Sequence, residues 1–329
     1  MWWRSVFWIG LIFGFMTFLL PNILWLLTFV VGKIVGFRSP YAPFGMVALI
    51  LMAIVWAALA YGHYVGRLKV QVNQVEYASA EVPKAFDGYR IAHISDLHVD
   101  SFDDSPEALQ QIVDKINAQN ADIILFTGDM NTSDMNNIRL HESVLKQLKA
   151  RDGVVSVLGN HDFFIYNFAD NEQRCAAADT LTAYEREVLG WRVLRNESIV
   201  MHRGGDDLAI AGCDNKHGKQ GFVTIQKGDL KKAMAGLDGI FTVLMTHDPS
   251  HWRAEVLPKS HAQITLSGHT HAAQIRLFGW SLANLSFNEC DGAYYQDGRM
   301  LYVSAGLGCT APFRIDCPAE IAVIKLVSK

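Results

Sequence analysis

The chain has 329 residues, of which 50% are hydrophobic and 19% are charged, and its formal net charge is −4. This length allows about two domains, and a negative balance without a basic cluster argues against nucleic acid as a standing partner. The five cysteines form no C-x-x-C pair, so nothing demands an oxidising compartment or a disulfide framework. The apolar excess comes from the N-terminal fifth of the chain.

Two long uncharged stretches open the chain, and we interpret them as a membrane hairpin over residues 1–66. Residues 5–32 and 39–66 are 28 residues each without Lys, Arg, Asp or Glu. A hydrocarbon core of ~30 Å needs about 20 such residues as helix, whereas a signal peptide has an apolar region of only ~7–15. Two buried core helices of a soluble protein are the alternative. Pro21-Asn22 predicts a kink or a re-entrant segment in the first helix.

Basic residues near the hairpin indicate its orientation. The turn carries Lys33 and Arg38, and the opposite side carries the amino terminus, Arg4, Arg67 and Lys69. The positive-inside rule therefore favours cytoplasmic ends by a margin of about two charges. We expect a multi-pass protein of the cell membrane, with the lipid bilayer as a partner and the C-terminal domain on the cytoplasmic face.

After a linker and first strand at residues 67–87, strand-like and helical patterns alternate through residues 88–329. Helical spacing covers residues 106–117, opened by Ser105 and Pro106, and residues 137–150. Helices between early strands, then strands crowding toward the C-terminus, favour an α/β layered sandwich with mixed sheets. The predicted strands are 90–95, 122–127, 154–158, 207–212, 241–246, 263–267, 300–304 and 320–327.

Five of these strands are followed, just past their C-terminal ends, by Asp, His or Asn. Strand ends converge in a wound sheet, so these residues are expected to meet at one edge. Imidazoles, an Asn oxygen and a carboxylate that can bridge suit two ions of Mn, Fe, Zn or Co. Two such ions ~3.5–4 Å apart activate a bridging water as hydroxide for attack on phosphorus. The residues are Asp96, His98, Asp129, Asn160, His161, Asp162, His247, His269 and His271.

The order Asp-x-His, Gly-Asp, Gly-Asn-His-Asp, His, Gly-His-x-His resembles the calcineurin-like metallophosphoesterases over roughly residues 88–328. The resemblance implies a four-layer α/β/β/α sandwich and a dinuclear metal centre. It implies that Asp129 bridges the ions, that His161 protonates the leaving oxygen, and that Asp162 orients His161 by a hydrogen bond. The implied ligands are Asp96, His98 and His271 for one ion, and Asn160, His247 and His269 for the other.

A finer resemblance is to the membrane-attached or exported bacterial branch of this family. That branch includes cell-surface phosphoesterases and one type of UDP-2,3-diacylglucosamine diphosphatase. Residues 94–98, 189–197 and 302–308 carry this resemblance. Residues 272–274 read Ala-Ala-Gln where the branch usually has Gly-Gly-Gln, and residues 309–312 are also unusual. Both departures flank the expected metal centre.

An aromatic segment and three arginines bear on the substrate. The aromatic segment 163–168 either packs on the core or forms an apolar rim for an acyl or prenyl chain. Arg139, Arg174 and Arg314 are either phosphate-binding or ordinary surface charges. We predict a membrane-anchored dinuclear phosphohydrolase acting on a phosphate ester or pyrophosphate, with a lipid-linked substrate as the leading candidate. The alternatives are a phosphodiesterase or phosphatase of soluble nucleotides tethered by the hairpin, and a non-catalytic metal-binding membrane protein.

Overall fold

The computed structural model describes residues 2–132, 134–216 and 225–329, with side chains from Arg4 onward. The chain divides into two compact units. The first contains the N-terminal residues as far as Leu68 together with Ala311–Asp316, and the second contains Lys69–Thr310 and Cys317–Lys329. The hairpin was expected to end at residue 66, and its grouping with residues 311–316 was not predicted.

Two helices form most of the first unit: α1 (Trp2–Val35) and α2 (Ala42–Tyr64). The spans Arg4–Val35 and Ala42–Leu68 have mean hydropathies of 2.0 and 2.3, so both are long and apolar enough to cross a membrane. The first helix runs through Pro21 without interruption, so the re-entrant alternative is wrong. The side-chain amide of Asn22, directly after the proline, donates to the Phe18 carbonyl one turn earlier at 2.7 Å.

The helices of the first unit contact each other through glycines. A Cβ atom on Gly10 would lie 2.6 Å from the Trp56 ring, and one on Gly14 would lie 3.1 Å from its indole nitrogen. The small residues therefore make the space that the indole occupies.

The segment Ala311–Asp316 packs on the C-terminal end of α2. The carbonyl of Pro312 lies 2.7 Å from Nδ1 of His63, and the N–H of Arg314 donates to the Gly62 carbonyl at 3.2 Å. A Cβ atom on Gly66 would lie 1.9 Å from the Arg314 carbonyl oxygen, so this approach requires glycine.

Two six-stranded mixed sheets form the second unit. The first has the order β1-β14-β2-β3-β4-β5, and the second has the order β12-β13-β9-β8-β7-β6. A two-stranded ribbon, β10-β11, lies outside both sheets. The strands are β1 (Val70–Ser79), β2 (Arg90–Ile94), β3 (Ile123–Phe126), β4 (Val154–Ser156), β5 (Arg192–Val193), β6 (Glu197–Arg203), β7 (Asp206–Cys213), β8 (Phe241–Thr246), β9 (Ile264–Ser267), β10 (Arg276–Leu277), β11 (Trp280–Ser281), β12 (Gly292–Gln296), β13 (Arg299–Val303) and β14 (Ala319–Ser328).

The alternation of side chains along the strands produces four layers. Ile91, Ile123 and Leu125 of the first sheet meet Val243 and Met245 of the second in the central core. The alternate residues of the same strands, such as Ala92, Ile124 and Leu244, point the other way and face helices on the outer sides of the two sheets. This is the expected α/β/β/α sandwich. The helices are α3 (Pro106–Asn117), α4 (Met135–Leu140), α5 (Glu142–Leu145), α6 (Asn171–Glu187), α7 (Leu230–Ala233) and α8 (Leu257–Lys259).

The eight predicted strands correspond to β2, β3, β4, β7, β8, β9, β13 and β14, with ends that differ by up to two residues. The helix predicted over residues 137–150 is instead two short helices separated at His141. The long helix α6 was not predicted, because its apolar residues are sparse. It is capped by Asp170, whose carboxylate accepts the N–H groups of Glu172 and Gln173. All five cysteines are free thiols, and only Cys175 is not buried.

Candidate metal centre

The loops after β2, β3, β4, β8 and β9 bring the predicted metal-binding side chains together. Their backbone is unusual, because five of the seven predicted ligands have positive φ angles of 37° to 72°. Only Asp, Asn and His among the larger residues adopt this left-handed region with any frequency. The five residues are Asp96, His98, Asp129, His269 and His271. The same Asp and His residues therefore both adopt the left-handed turns and offer metal-binding atoms.

One group of possible ligands contains Asp96, His98 and His271, whose donor atoms all lie within 4.8 Å of one another. Nε2 of His271 is 3.2 Å from Nε2 of His98 and 3.3 Å from Oδ1 of Asp96. All three residues are buried. Two imidazole nitrogens facing each other beside a carboxylate form a donor set for a divalent cation.

A second group contains Asp129, His247 and His269, again within 4.8 Å. Nε2 of His247 lies 3.1 Å from Oδ2 of Asp129, and Nδ1 of His269 lies 2.9 Å from the Asn160 oxygen. Asp129 also lies 3.7 Å from Nε2 of His98 in the first group. Asp129 thus stands between the two groups, and all seven predicted ligands converge.

Hydrogen bonds at the other ring nitrogens test whether these histidines fit a metal. Nδ1 of His247 is 2.8 Å from the Thr127 carbonyl, which only accepts, so this nitrogen carries the hydrogen. The Nε2 lone pair then points at two carboxylates, the nearer being Asp129. Such an arrangement is repulsive for a neutral imidazole alone and favourable with a cation between, so the residues fit a metal.

The carboxylates favour positive charge at the centre of the site. Burial would raise the pKa of Asp129, but nearby imidazoles, His247 foremost, outweigh burial and hold it well below its ordinary value. Burial would lower the pKa of His247, yet Asp129 and Asp96 outweigh burial and raise it to about 10. Burial raises the pKa of Asp96 to about 6. A proton on His247 meets this demand for charge, and a metal ion binding there displaces that proton.

The expected hydrogen bond between Asp162 and His161 is wrong. The Asp162 carboxylate accepts the N–H groups of Asp129, Met130 and Gly159 at 2.7, 2.8 and 2.8 Å. Successive side chains of the 3₁₀ turn His161–Phe163 point in different directions, so Asp162 reaches the loop of Asp129 whereas His161 reaches the Thr132 carbonyl. Asp162 instead joins the loop that carries Asp129 to the loop that carries His161.

His161 is oriented by the backbone. Its Nδ1 lies 3.2 Å from the Thr132 carbonyl, which leaves Nε2 as the nitrogen able to gain and lose a proton. Its ring lies 5.0 Å from that of His98 and 5.2 Å from that of Tyr166, centroid to centroid. Its donor atom also lies within 4.8 Å of those of His98 and Asp129.

Thr132 and Asp248 also contact the site, and the sequence analysis assigned them no role. The Thr132 hydroxyl donates to Asp100 at 3.0 Å and lies 3.1 Å from Nδ1 of His98. Asp248 is buried, and its carboxylate lies 3.5 Å from Nε2 of His269. Asp248 directly follows His247 and could have been noticed, whereas Thr132 carries no local signal.

A buried acid lies below the loop of His161. Glu185 on α6 is fully buried and accepts a hydrogen bond from the Ser156 hydroxyl on β4. Burial, and then the negative charge of Asp162, raise the pKa of Glu185 to about 8. Burial and Asp129 likewise raise the pKa of Asp162 to about 7.

The aromatic segment 163–168 divides between core and surface. Phe163 and Phe164 are buried in the core under the first sheet, whereas Tyr166 is 70% exposed. Of the candidate arginines, Arg174 is buried and donates to the Phe168 carbonyl at 2.7 Å, so it holds this segment. Arg314 lies in the segment that packs on α2, and Arg139 is exposed on α4.

A four-layer α/β/β/α fold with imidazoles and carboxylates gathered past the carboxyl ends of its strands defines a class of metal-dependent hydrolases. The chain belongs to the family of calcineurin-like phosphoesterases, whose profile matches residues 89–273. It is therefore a metallophosphoesterase, a hydrolase of phosphate esters, with residues able to bind metal ions and two N-terminal apolar helices.

Similar proteins include bacterial and animal members of the family. The chain is 27% identical over 277 residues to the uncharacterized metallophosphoesterase YkuE of Bacillus subtilis (strain 168), covering 82% of this chain and 89% of that one. It is 28% identical over 287 residues to a transmembrane protein with metallophosphoesterase domain of Danio rerio, covering 84% of this chain but 62% of the fish protein. Among solved structures, a dimetal phosphatase from Danio rerio has a TM-score of 0.41 and 13% identity, with 69% and 90% of the two chains covered.

Proposed function

We propose that the chain is a membrane-anchored phosphohydrolase that uses two divalent ions of Mn, Fe, Zn or Co. The observation that carries the proposal is the meeting of two groups of possible ligands at Asp129. In this proposal Asp129 would serve as a ligand of both ions. Asp96, His98 and His271 would hold one ion, and Asn160, His247 and His269 would hold the other.

The chemistry follows from the residues around this centre. When bound, two such ions lower the pKa of a coordinated water and polarise the phosphoryl oxygens. His161 donates a proton from Nε2 to the leaving oxygen, because its Nδ1–H is held by the Thr132 carbonyl. Asp162 keeps Asp129 in place through backbone amides, so it acts as a positioning residue.

A lipid-linked phosphate ester or pyrophosphate is the substrate class we propose. A largely apolar groove of about 480 Å³ is lined by Met135, Phe164 and Phe168, which follow closely on the loops of Asp129 and His161. Such a groove suits an acyl or prenyl chain better than a nucleoside. The apolar helices α1 and α2, and the name of the Danio rerio relative, support placement at a membrane.

The substrate class is tested by a screen with the full chain in lipid nanodiscs and added Mn²⁺. We expect turnover of lipid phosphates or lipid pyrophosphates to exceed that of nucleotides and their cyclic diesters at equal concentration. Preference for a nucleotide would favour the tethered-nucleotide alternative. No turnover of any phosphate at full metal occupancy would favour the non-catalytic alternative.

His161→Ala tests the role of this histidine, with His202→Ala, an exposed residue paired with Asp207, as the control. We expect His161→Ala to keep its metals and to lose roughly 10²–10⁴-fold in turnover of a substrate with an alkoxide leaving group. The loss should be smaller for a nitrophenolate, which needs little protonation. Loss of a metal would make His161 a ligand, and an equal loss for both substrates would contradict proton donation.

We also propose that the catalytic domain faces the cytoplasm. Lys33 and Arg38 lie between the apolar helices, and Arg4, Arg67 and Lys69 lie on the other side. Green fluorescent protein fused after Lys329 should fluoresce in a bacterial host, because this reporter matures in the cytoplasm and stays dark after export in unfolded form. A dark, full-length fusion would reverse the proposed topology.

A further inference from the structure

Exposed apolar side chains are concentrated in one short segment of the catalytic domain. Among the described residues after Leu68, eight large hydrophobic side chains are exposed, and five of them lie in residues 277–285, here called the tip segment. Soluble domains rarely expose so many apolar side chains together unless they meet a partner. The five are Leu277, Phe278, Trp280, Leu282 and Leu285, exposed by 53%, 106%, 45%, 40% and 77%.

The tip segment begins with a β-hairpin. Strands β10 and β11 pair through Leu277 and Trp280 and leave a two-residue turn, Phe278-Gly279, with φ angles of 53° and 80°. Hairpin turns of this kind favour Asn or Asp before Gly. A bulky aromatic residue with positive φ is costly there. Phe278 recovers none of this cost by packing, because its side chain is fully exposed.

Hydrogen bonds attach the tip segment to the metal-site loop. The Ser281 hydroxyl donates to the Ala272 carbonyl, directly after His271, and accepts the N–H of Ala283 at 3.0 Å. The apolar surface also continues toward the site, because the ring of Phe287 lies 5.7 Å from that of His269. The segment with the exposed side chains is thus hydrogen-bonded to the loop that contains the candidate ligand His271.

We propose that the tip segment inserts into the bilayer surface and brings the metal centre to phosphates of membrane lipids. No charged residue occurs from Leu277 to Asn288, and Trp and Phe are the side chains that favour the membrane interface. Only five residues, 65–69, join the second apolar helix to β1, so an inserted hairpin tethers the domain at the bilayer. The proposal rests on the proposed membrane anchoring and specifies how a lipid substrate is presented.

The test uses an environment-sensitive fluorophore on single cysteines of the full chain in nanodiscs. Cys175→Ser supplies the background, because the other four cysteines are buried. Labels are placed through Phe278→Cys and Leu285→Cys in the tip segment. The controls are Leu140→Cys and Tyr295→Cys, which are 72% and 61% exposed outside it. Phe15→Cys, 60% exposed on α1, reports on the hairpin itself.

Lipids with a doxyl quencher on the acyl chain and aqueous iodide distinguish the outcomes. We expect doxyl lipids to remove roughly half of the emission at positions 278 and 285, as for groups buried in the headgroup–acyl boundary. Iodide should quench positions 140 and 295 instead. If position 15 responds to doxyl lipids while 278 and 285 respond only to iodide, the inference is overturned and the anchoring survives. If position 15 also fails to respond, both are overturned.

Discussion

Substitution of Gly159 by alanine is expected to disrupt metal binding through a single methyl group. A Cβ atom on Gly159 would lie 2.1 Å from Oδ1 and 2.8 Å from both Cγ and the backbone nitrogen of Asp129. Ordinary contacts begin near 3.4 Å, so the carboxylate has to move by more than about 1 Å. Metal sites tolerate displacements of only ~0.2 Å. Because Asp129 stands between both groups of ligands, Gly159→Ala should bind well below two ions per chain.

The assay combines elemental analysis of the purified chain, turnover of a chromogenic phosphodiester, and thermal melting. We expect a fall in stability of about 1–3 kcal/mol from overpacking, with turnover lost in proportion to bound metal. Gly205→Ala is the matched control, because Gly205 has a φ of +90° and open space around its Cβ position. It should lose about 1 kcal/mol from backbone strain and no metal. Two ions and normal turnover in Gly159→Ala would refute the reasoning.

Three further predictions concern the surroundings of the centre. Thr132→Val removes the partner of Nδ1 in His98 and should weaken metal binding by about 10–100-fold by calorimetric titration; unchanged affinity would contradict this role. Metal affinity should rise about tenfold per pH unit between about pH 7 and 9, because binding displaces the proton held by His247, whose pKa is raised to about 10. Metal affinity that stays constant with pH in a competition titration would show that no proton is released. Burial raises the pKa of Glu185 from 4.5 to about 8, so its contribution to stability is complete below pH 4.5 and is lost as pH rises through about 8. Between about pH 6 and 9, the melting temperature should therefore fall more for the native chain than for Glu185→Gln. Parallel melting curves of the two proteins would count against a neutral buried acid.

The order and position of the strands were predictable because their apolar, β-branched runs end at conspicuous polar residues. Val154–Ser156 and Phe241–Thr246 are fully buried strands and read as such in the sequence. Convergence of the following loops also followed from the sequence, since parallel strands end at one edge. The site was therefore visible as a set of residues before its geometry was known.

Contacts between residues far apart in the chain were not predictable. Thr132 meets His98 across two loops, and Pro312 meets His63 although 249 residues separate them. The role of Asp162 was misassigned because adjacency in sequence suggests a pair, whereas a 3₁₀ turn directs consecutive side chains apart. Helix α6 was missed because capping by Asp170 and tertiary packing stabilise it in place of a marked apolar period.

The left-handed backbone at five of the predicted ligands lowers the stability of the fold at positions that the proposed function requires. Each such residue costs roughly 1 kcal/mol that glycine would not. Backbone strain by itself therefore favours glycine at Asp96 or His271, where glycine would delete a ligand, so relief of this strain would lead away from catalysis. Alanine at these positions would delete the ligand and keep the strained backbone, whereas glycine would remove the ligand and the strain together. Substitutions that stabilise this enzyme without loss of activity should therefore lie outside these ligand positions.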